Sequence, residues 1–293
     1  MGAPEISIVI PTRNTRESTL RTLASIESER ASTSVEIIVV DDEGSDGTAE
    51  TISSQHPGVT LLRNANRMRF AGTANRGLQL ARAPLVMCLN SDARLRTGSL
   101  RAIVAWFAGD PKSGIAGAQL VDSRGNDEWS GGPEPTSSWC LLAASGVASR
   151  IARARGGARV QARVDWVAGT AMTIRREVLA EVGLFDESYA FYAQDLELCV
   201  RARRAGWKVG LISDAIVEHE RGTTVRQETA NADGVDLAAL WSDLCLWASR
   251  CHGPRRAESF RRALRAGAWV RLVLSSTAAE RSRVRHAVRQ LRS

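Results

Sequence analysis

The feature that most constrains this chain is an alternation of two periodicities over its first 121 residues. Short β-branched runs, each the length of one strand, take turns with stretches whose apolar residues fall at helical spacing. Residues 5–10 form the first run, ended by Pro11, and residues 35–40 form the second, ended by acidic and glycine residues. Between them Leu20, Leu23, Ala24 and Glu27 recur at helical intervals, which makes a β-α-β unit. The pattern continues with strand, helix and strand at 59–62, 71–81 and 85–89, then the helical set Leu100, Ile103, Val104 and Phe107, and a strand at 115–121. Runs apolar throughout read as strands buried on both faces. The expectation is an α/β fold with an open, mostly parallel central sheet flanked by helices. Such sheets bind ligands at the carboxyl ends of their strands, so polar residues standing just after a strand are the first candidates for chemistry.

A Gly/Pro/Ser-rich stretch at 122–138 interrupts the alternation. Beyond it come an apolar run at 164–175, a helix at 176–182, a turn at 183–187, a helix starting near Gln194, and strands at 209–212 and 215–218. From Leu237 the pattern is helical only. With 44% hydrophobic and 24% charged residues over 293 positions, the chain has the balance of a soluble globular protein, and disorder is excluded. The longest apolar runs, 139–149 and 266–279 (the latter carrying Arg271), fall short of the ~20 residues a bilayer needs, so no membrane-spanning helix is expected. The segment Met1-Gly2-Ala3-Pro4-Glu5-Ile6 lacks a basic-then-apolar leader, and Ile6 stands where a myristoylation site wants Ser or Thr; a cytoplasmic protein is the expectation. The cysteines Cys88, Cys140, Cys199, Cys245 and Cys251 contain no CxxC pair and read as free thiols.

Three acidic positions follow strand-like or aromatic runs. Residues 41–48 read Asp-Asp-Glu-Gly-Ser-Asp-Gly-Thr, either a solvated turn with Asp46 capping the next helix or a nucleoside contact through Asp41 at the strand end. Asp92, in Leu89-Asn-Ser-Asp92, is the only acidic residue between 51 and 100. A lone carboxylate beyond a buried strand suits a hard divalent cation that also holds phosphate oxygens, and a helix cap is the alternative. Asp195 follows Phe191 and Tyr192 and shares with Gln194 the first turn of a helix whose buried stripe is Leu196, Cys199 and Val200. There it either caps the helix or acts as a base from which aromatic neighbours restrict water. His219, after a short strand, is a metal ligand or a surface histidine.

Taken in order and spacing, these segments resemble the family 2 glycosyltransferases of GT-A fold, particularly the bacterial rhamnosyltransferase-like branch. The marks, between about Ile6 and Thr224, are Ser7-Ile-Val-Ile-Pro-Thr-Arg-Asn14, Val39-Val-Asp-Asp42 with Asp46-Gly-Thr48, Phe70-Ala-Gly72 with Asn75-Arg-Gly77, and Leu89-Asn-Ser-Asp92. They continue with Val164-Asp-Trp-Val-Ala-Gly169, Gly183-Leu-Phe-Asp-Glu187, Tyr192-Ala-Gln-Asp-Leu-Glu-Leu-Cys199, Ala205-Gly-Trp207 and His219. The resemblance implies a donor-binding half at 1–125, an acceptor-binding and catalytic half at 126–225, and a basic helical extension at 226–293. It implies that Pro11, Thr12, Asn14, Asp41, Asn75, Asn90 and Asp92 meet a nucleoside diphosphate sugar, and that Trp166, Gly169 and Gln194 meet the acceptor. It implies a divalent metal, Mn2+ or Mg2+, on Asp92 and His219, and Asp195 as the base that takes the proton of an acceptor hydroxyl during inverting transfer of rhamnose or a similar hexose. Polysaccharide, glycolipid or glycoconjugate synthesis is the expected setting. Three residues depart from the family pattern: Gln194 replaces a usual Glu, Glu43-Gly44 replace a small residue and Ser, and Arg69 replaces a common Gly.

Two rival readings share the scaffold: a nucleotide-sugar-binding protein without catalysis, kept open by Gln194, and a nucleotidyltransferase. A dehydrogenase is argued against, because Pro11-Thr-Arg-Asn14 stands where a GxGxxG would follow the first strand. The last expectation concerns charge. Residues 251–293 hold eleven Arg against Glu258 and Glu280, a net of +9, which leaves −2 of the total +7 for the rest. Phe260 and Leu264, then Val284, Val288 and Leu291, fall among these arginines at helical spacing. The segment 255–292 is therefore either a basic amphipathic helix on the inner face of the cell membrane, where a lipid-linked acceptor would be met, or a packed helix with a solvated basic face. No nucleic-acid motif accompanies the charge, so a nucleic-acid partner is not expected.

Overall fold

The computed structural model describes residues 3–147, 164–220 and 235–291. Its centre is an eight-stranded sheet of order β3-β2-β1-β4-β9-β6-β10-β5. The strands are β1 (Ile6–Thr12), β2 (Val35–Asp41), β3 (Thr60–Arg63), β4 (Leu85–Leu89), β5 (Ala93–Leu95), β6 (Ser113–Val121), β9 (Ala171–Arg175) and β10 (Lys208–His219). A separate two-stranded ribbon joins β7 (Gly131–Gly132) to β8 (Trp166–Val167). The helices of the first half are α1 (Arg16–Glu29), α2 (Thr48–Gln55), α3 (Arg69–Leu80) and α4 (Ser99–Ala108). Those that follow are α5 (Ser137–Ser145), α6 (Arg176–Val182), α7 (Gln194–Arg204), α8 (Leu237–His252), α9 (Pro254–Leu274) and α10 (Ala278–Gln290).

The first half of the sheet is parallel, as the β-α-β reading expects: β1 pairs in parallel with both β2 and β4, and β2 with β3. The second half is mixed. β9 lies antiparallel between β4 and β6, and β5 is antiparallel to β10. Residues 209–212 and 215–218 belong to one strand, β10, whose pairing with β6 is interrupted by a register shift between Ile212 and Ile216. Because β9 and β10 sit in the same sheet as β1–β6, the residues on either side of 125 are not separately folded units.

The apolar strands bury both faces. Ile6, Ile8 and Ile10 of β1 pack with Leu23 and Ile26 of α1 and Ile103 of α4, whereas Val9 belongs to the opposite core with Ala74 and Leu78 of α3. Gly77 lets α3 lie directly on the sheet, since a Cβ there would collide with Val9. Register then sets the site. Thr12 is level with Asp41 where β1 and β2 end, and His219 of β10 is paired with Ala93 of β5, directly after Asp92.

The C-terminal apolar stripe has a place in this core. Phe260, Leu264, Val284 and Leu291 are each at most 4% exposed, and the Phe260 ring lies 6.0 Å from that of Trp247. Burying each such side chain contributes roughly 1.5–3 kcal/mol, so the stripe is a packing surface. Of the two alternatives open for this stripe, the packed helix is the one the structure shows. Arg292 lies outside the described residues.

Candidate active site

At the ends of β1 and β2, Asp41 closes β2 with its carboxylate buried, and its Oδ1 has no hydrogen-bond partner. Burial raises its pKa, and the Arg63 guanidinium 3.7 Å away offsets only part of that. A buried orphan acceptor of this kind is costly unless a ligand donor meets it. Asp42 has another occupation: its carboxylate accepts from Asn64 Nδ2 (2.7 Å), Met68 N (2.7 Å) and Arg69 N (3.0 Å), which pins the start of α3. Asp46 accepts from Arg16 N and Thr48 N and so ties α1 to the start of α2. Asn14 reaches across to accept from Ser45 N at 2.7 Å. The Thr12 hydroxyl joins a buried network with Thr15 and Thr19, and Thr15 bonds Ser91 at 2.9 Å. Pro11 precedes it, partly exposed, within β1. Asn75 is deeper than its expected donor contact: it donates to Phe185 O and Glu187 Oε1 and accepts from Phe185 N, so it positions the 183–187 turn.

Asp92 does not cap a helix. Strand β5 begins at the next residue, and its Oδ1 lies 3.5 Å from His219 Nε2. The other ring nitrogen of His219 is 3.2 Å from Glu128 Oε2, a residue the sequence reading did not single out. Burial would lower the histidine pKa, but the two flanking carboxylates outweigh it and push it up to about 9. Asp92 offers a hard oxygen and His219, on giving up a proton, an imidazole nitrogen, donors a divalent cation accepts. Among the described residues no group of three or more His, Cys, Asp and Glu side chains forms a complete metal cage, so a cation here would need further oxygens from water or a bound ligand.

Asp195 stands in the first turn of α7 with Oδ2 accepting from Gly169 N (2.9 Å) and Oδ1 from Leu196 N (2.8 Å). Dense surroundings raise its pKa despite these bonds. It faces a cavity of about 230 Å³ that it shares with Asn90, Trp166, Gly169 and Gln194. Thus the residue after β4, the β8 tryptophan and the α7 turn meet in one space. Asn90 N is bonded to Thr170 O, which fixes that junction. Gln194 donates to Phe191 O, while its buried Oε1 has no partner. Glu197, the next carboxylate along the helix, is engaged by Arg201 at 2.7 Å and does not line the cavity.

Two contributions were not visible from the motifs. Trp129 and Trp139, from the Gly/Pro/Ser-rich stretch and α5, wall the cavity beside Trp166, with Trp129 stacked on Trp139 (5.7 Å) and edge-on to Trp166 (5.1 Å). Asp243 of α8 accepts from the N–H groups of Ala190, Phe191 and Tyr192, holding the loop that precedes Asp195. Strain is also concentrated here. The non-glycine residues with positive φ among the described residues are Asn14, Glu43, Arg69 and Ala193, in loops or at helix starts bounding these groups. The φ of +60° at Arg69 explains physically why glycine is common at that position.

A family model described as glycosyl transferase family 2 matches residues 7–183. The chain belongs to this family. Among relatives of this glycosyltransferase is the N-acetylglucosaminyl-diphospho-decaprenol L-rhamnosyltransferase of Mycobacterium tuberculosis, 25% identical over 67% of this chain and 70% of its own length. Another is the amylovoran biosynthesis glycosyltransferase AmsB of Erwinia amylovora, 22% identical over 81% of this chain and 76% of its own. In three dimensions the glycosyltransferase resembles the mannosyltransferase PcManGT of Pyrobaculum calidifontis, solved with GDP-Man and Mn2+ (TM-score 0.60, 17% identity, 100% of this chain and 85% of that one). It also resembles S. aureus TarS 1-349 in complex with UDP-GlcNAc (TM-score 0.58, 15% identity, 98% and 80%). The fold is GT-A, a mixed α/β sheet flanked by helices with further helices at the C-terminal end.

Proposed function

We propose that the enzyme transfers rhamnose or a similar hexose, with inversion, from a nucleoside diphosphate donor to an acceptor hydroxyl during polysaccharide, glycolipid or glycoconjugate synthesis. The observation that carries this is the convergence of Asp195 and Asn90 on one cavity, with Asp92 two residues beyond Asn90 and facing His219. Asp41 and the Pro11, Thr12 and Asn14 loop receive the nucleoside, Asp41 Oδ1 taking a donor hydrogen bond. Trp166, Gly169 and Gln194 bound the acceptor side. Asp195, held by two backbone N–H groups, removes the acceptor proton as that oxygen attacks the anomeric carbon from the face opposite the leaving group. A divalent cation on Asp92 and His219, when bound, supplies charge stabilisation to the nucleoside diphosphate as it leaves. Residues 1–125 thus serve the donor, 126–225 the acceptor and the base, and 226–293 brace them. The test is a thermal-shift panel of nucleoside diphosphates and nucleotide sugars with and without Mn2+. A donor that raises the melting temperature only with metal is the expected result, and no shift from any member would sink the proposal.

A second proposal, peripheral attachment at the inner face of the cell membrane, moves to a different surface than the one expected. No helix among the described residues is long and apolar enough to cross a membrane. Trp269 (69% exposed), Val273 (66%) and Leu274 of α9 and Leu141 and Leu142 of α5 make five of the seven exposed large hydrophobics among the described residues. They lie on helices that pack together, within the +9 segment and its neighbour. Co-sedimentation with anionic vesicles should fall for Trp269→Ser with Val273→Ser and in high salt. Equal partitioning of both proteins would remove the reading.

A further inference from the structure

The walls of the acceptor cavity carry information beyond the presence of a base. Trp129, Trp139 and Trp166 arrive from three separate segments and form a continuous aromatic wall, which Phe70, Phe191 and Leu240 extend. Among the described residues lining the cavity none is Lys, Arg or His, and its one carboxylate is Asp195. Against this apolar lining stands one unmet demand. Gln194 is 6% exposed, its Nε2 is occupied by Phe191 O, and its Oε1 is buried without a partner. An amide oxygen desolvated and unbonded destabilises the fold unless a ligand donor meets it. A neutral glutamine accepts a hydrogen bond from a hydroxyl there without adding a second negative charge beside Asp195. A phosphate in the same space would meet the Asp195 carboxylate and no cation among the described lining residues.

We propose that the group presented to Asp195 is an uncharged ring that lays its apolar face on the Trp129, Trp139 and Trp166 wall and donates one hydroxyl to Gln194 Oε1. This inference rests on the glycosyl-transfer reading and specifies the acceptor for the same site. Any phosphate of the acceptor lies outside the cavity, so a glycosyl diphosphate whose reacting sugar directly carries the phosphate is a poor substrate.

The test uses the full-length protein and two probes, phenyl β-D-glucopyranoside as the neutral ring and glucose 1-phosphate as its charged counterpart. Binding is read by tryptophan fluorescence and by competition. The neutral probe should bind at least about tenfold more tightly than the charged one, in keeping with the cost of an unpaired charge in an apolar site. Trp139→Ala, at a partly exposed position, should weaken the neutral probe on the order of tenfold, and Gln194→Met on the order of 5–30-fold. The thermal shift given by nucleoside diphosphate and Mn2+ is measured on each protein and should survive both substitutions, which reports an intact fold and donor site. Equal or tighter binding of glucose 1-phosphate, or unchanged affinity for the neutral probe in both variants, would overturn the acceptor assignment. Loss of the nucleotide shift in the unsubstituted protein would instead fail the glycosyl-transfer reading.

Discussion

The proposed donor end and the proposed acceptor cavity of this enzyme are built by different means. At the donor end, each group stands directly after a strand: Asn14 beyond β1, Asp41 closing β2, Asn90 and Asp92 beyond β4, and His219 closing β10. Parallel pairing brings the ends of β1, β2 and β4 level, and the antiparallel pairing of β10 with β5 sets His219 beside Asp92, so the site follows from topology. The cavity has no such rule. Its tryptophans come from a loop, a short helix and a two-residue strand, and its far side from Leu240 and Leu244 of α8. It exists because those segments pack. The difference teaches that, on the proposed roles, donor chemistry is tied to the sheet, whereas acceptor choice depends on elements outside it.

Substitutions can break or sharpen this contrast. The largest effect is expected at the junction of the two regions: Asp195→Asn should lower turnover by a factor on the order of 10²–10⁴ with donor affinity unchanged, measured as kcat against donor Kd. Because burial raises the Asp195 pKa, the ionised base is lost on acidification at a higher pH than an ordinary carboxylate allows. The acid limb of the rate profile should be displaced upward accordingly and should vanish in the Asn variant. Next is Asp92→Asn, which should weaken Mn2+-dependent donor binding by at least about 10–100-fold, with His219→Ala milder; an unchanged metal response would separate Asp92 from the donor site.

A smaller effect, and one confined to the acceptor side, is expected from Asp243→Ala. It leaves three backbone N–H groups without their acceptor, which should destabilise the protein by roughly 2–3 kcal/mol and lower turnover about tenfold while sparing nucleotide binding. Denaturant melts beside donor titrations check this; a loss of donor affinity as large as the loss of turnover would erase the distinction between the regions. The smallest is Arg69→Gly, which relieves a positive φ and should stabilise by about 0.5–1 kcal/mol in the same melts, with no change in acceptor kinetics.

The sequence was informative where physics is local. Strand runs at 5–10, 35–40 and 85–89 and the acidic residues behind them follow from periodicity and from the rule for strand ends, and the order of the segments carried the family resemblance. The antiparallel insertion of β9 was not legible, because a buried strand of five residues looks the same in either direction. Asn75 and Asp42 stand among the segments of the resemblance yet hold the protein to itself, a distinction that requires knowing their hydrogen-bond partners. The C-terminal stripe at Val284, Val288 and Leu291 has the same spacing whether it faces lipid or a core. Only the neighbouring Trp247 and Phe260 decide it, and they lie far away in sequence. Asp243 carried no signal at all, since one acidic residue in a helix is ordinarily solvated.

Helix α8 performs two tasks with a single turn. Leu240, Asp243 and Leu244 fall at i, i+3 and i+4, so the two leucines that finish the cavity and the carboxylate that holds residues 190–192 project from one face. The C-terminal helices are consequently not an exchangeable cassette. A chimera that imports another family member's helices to alter acceptor choice would replace the cavity's far wall and, in the same stroke, remove the anchor of the loop that aims the base. Retargeting this enzyme therefore calls for changes at 240 and 244 around a retained Asp243, or for moving the 190–192 loop together with the helix that holds it.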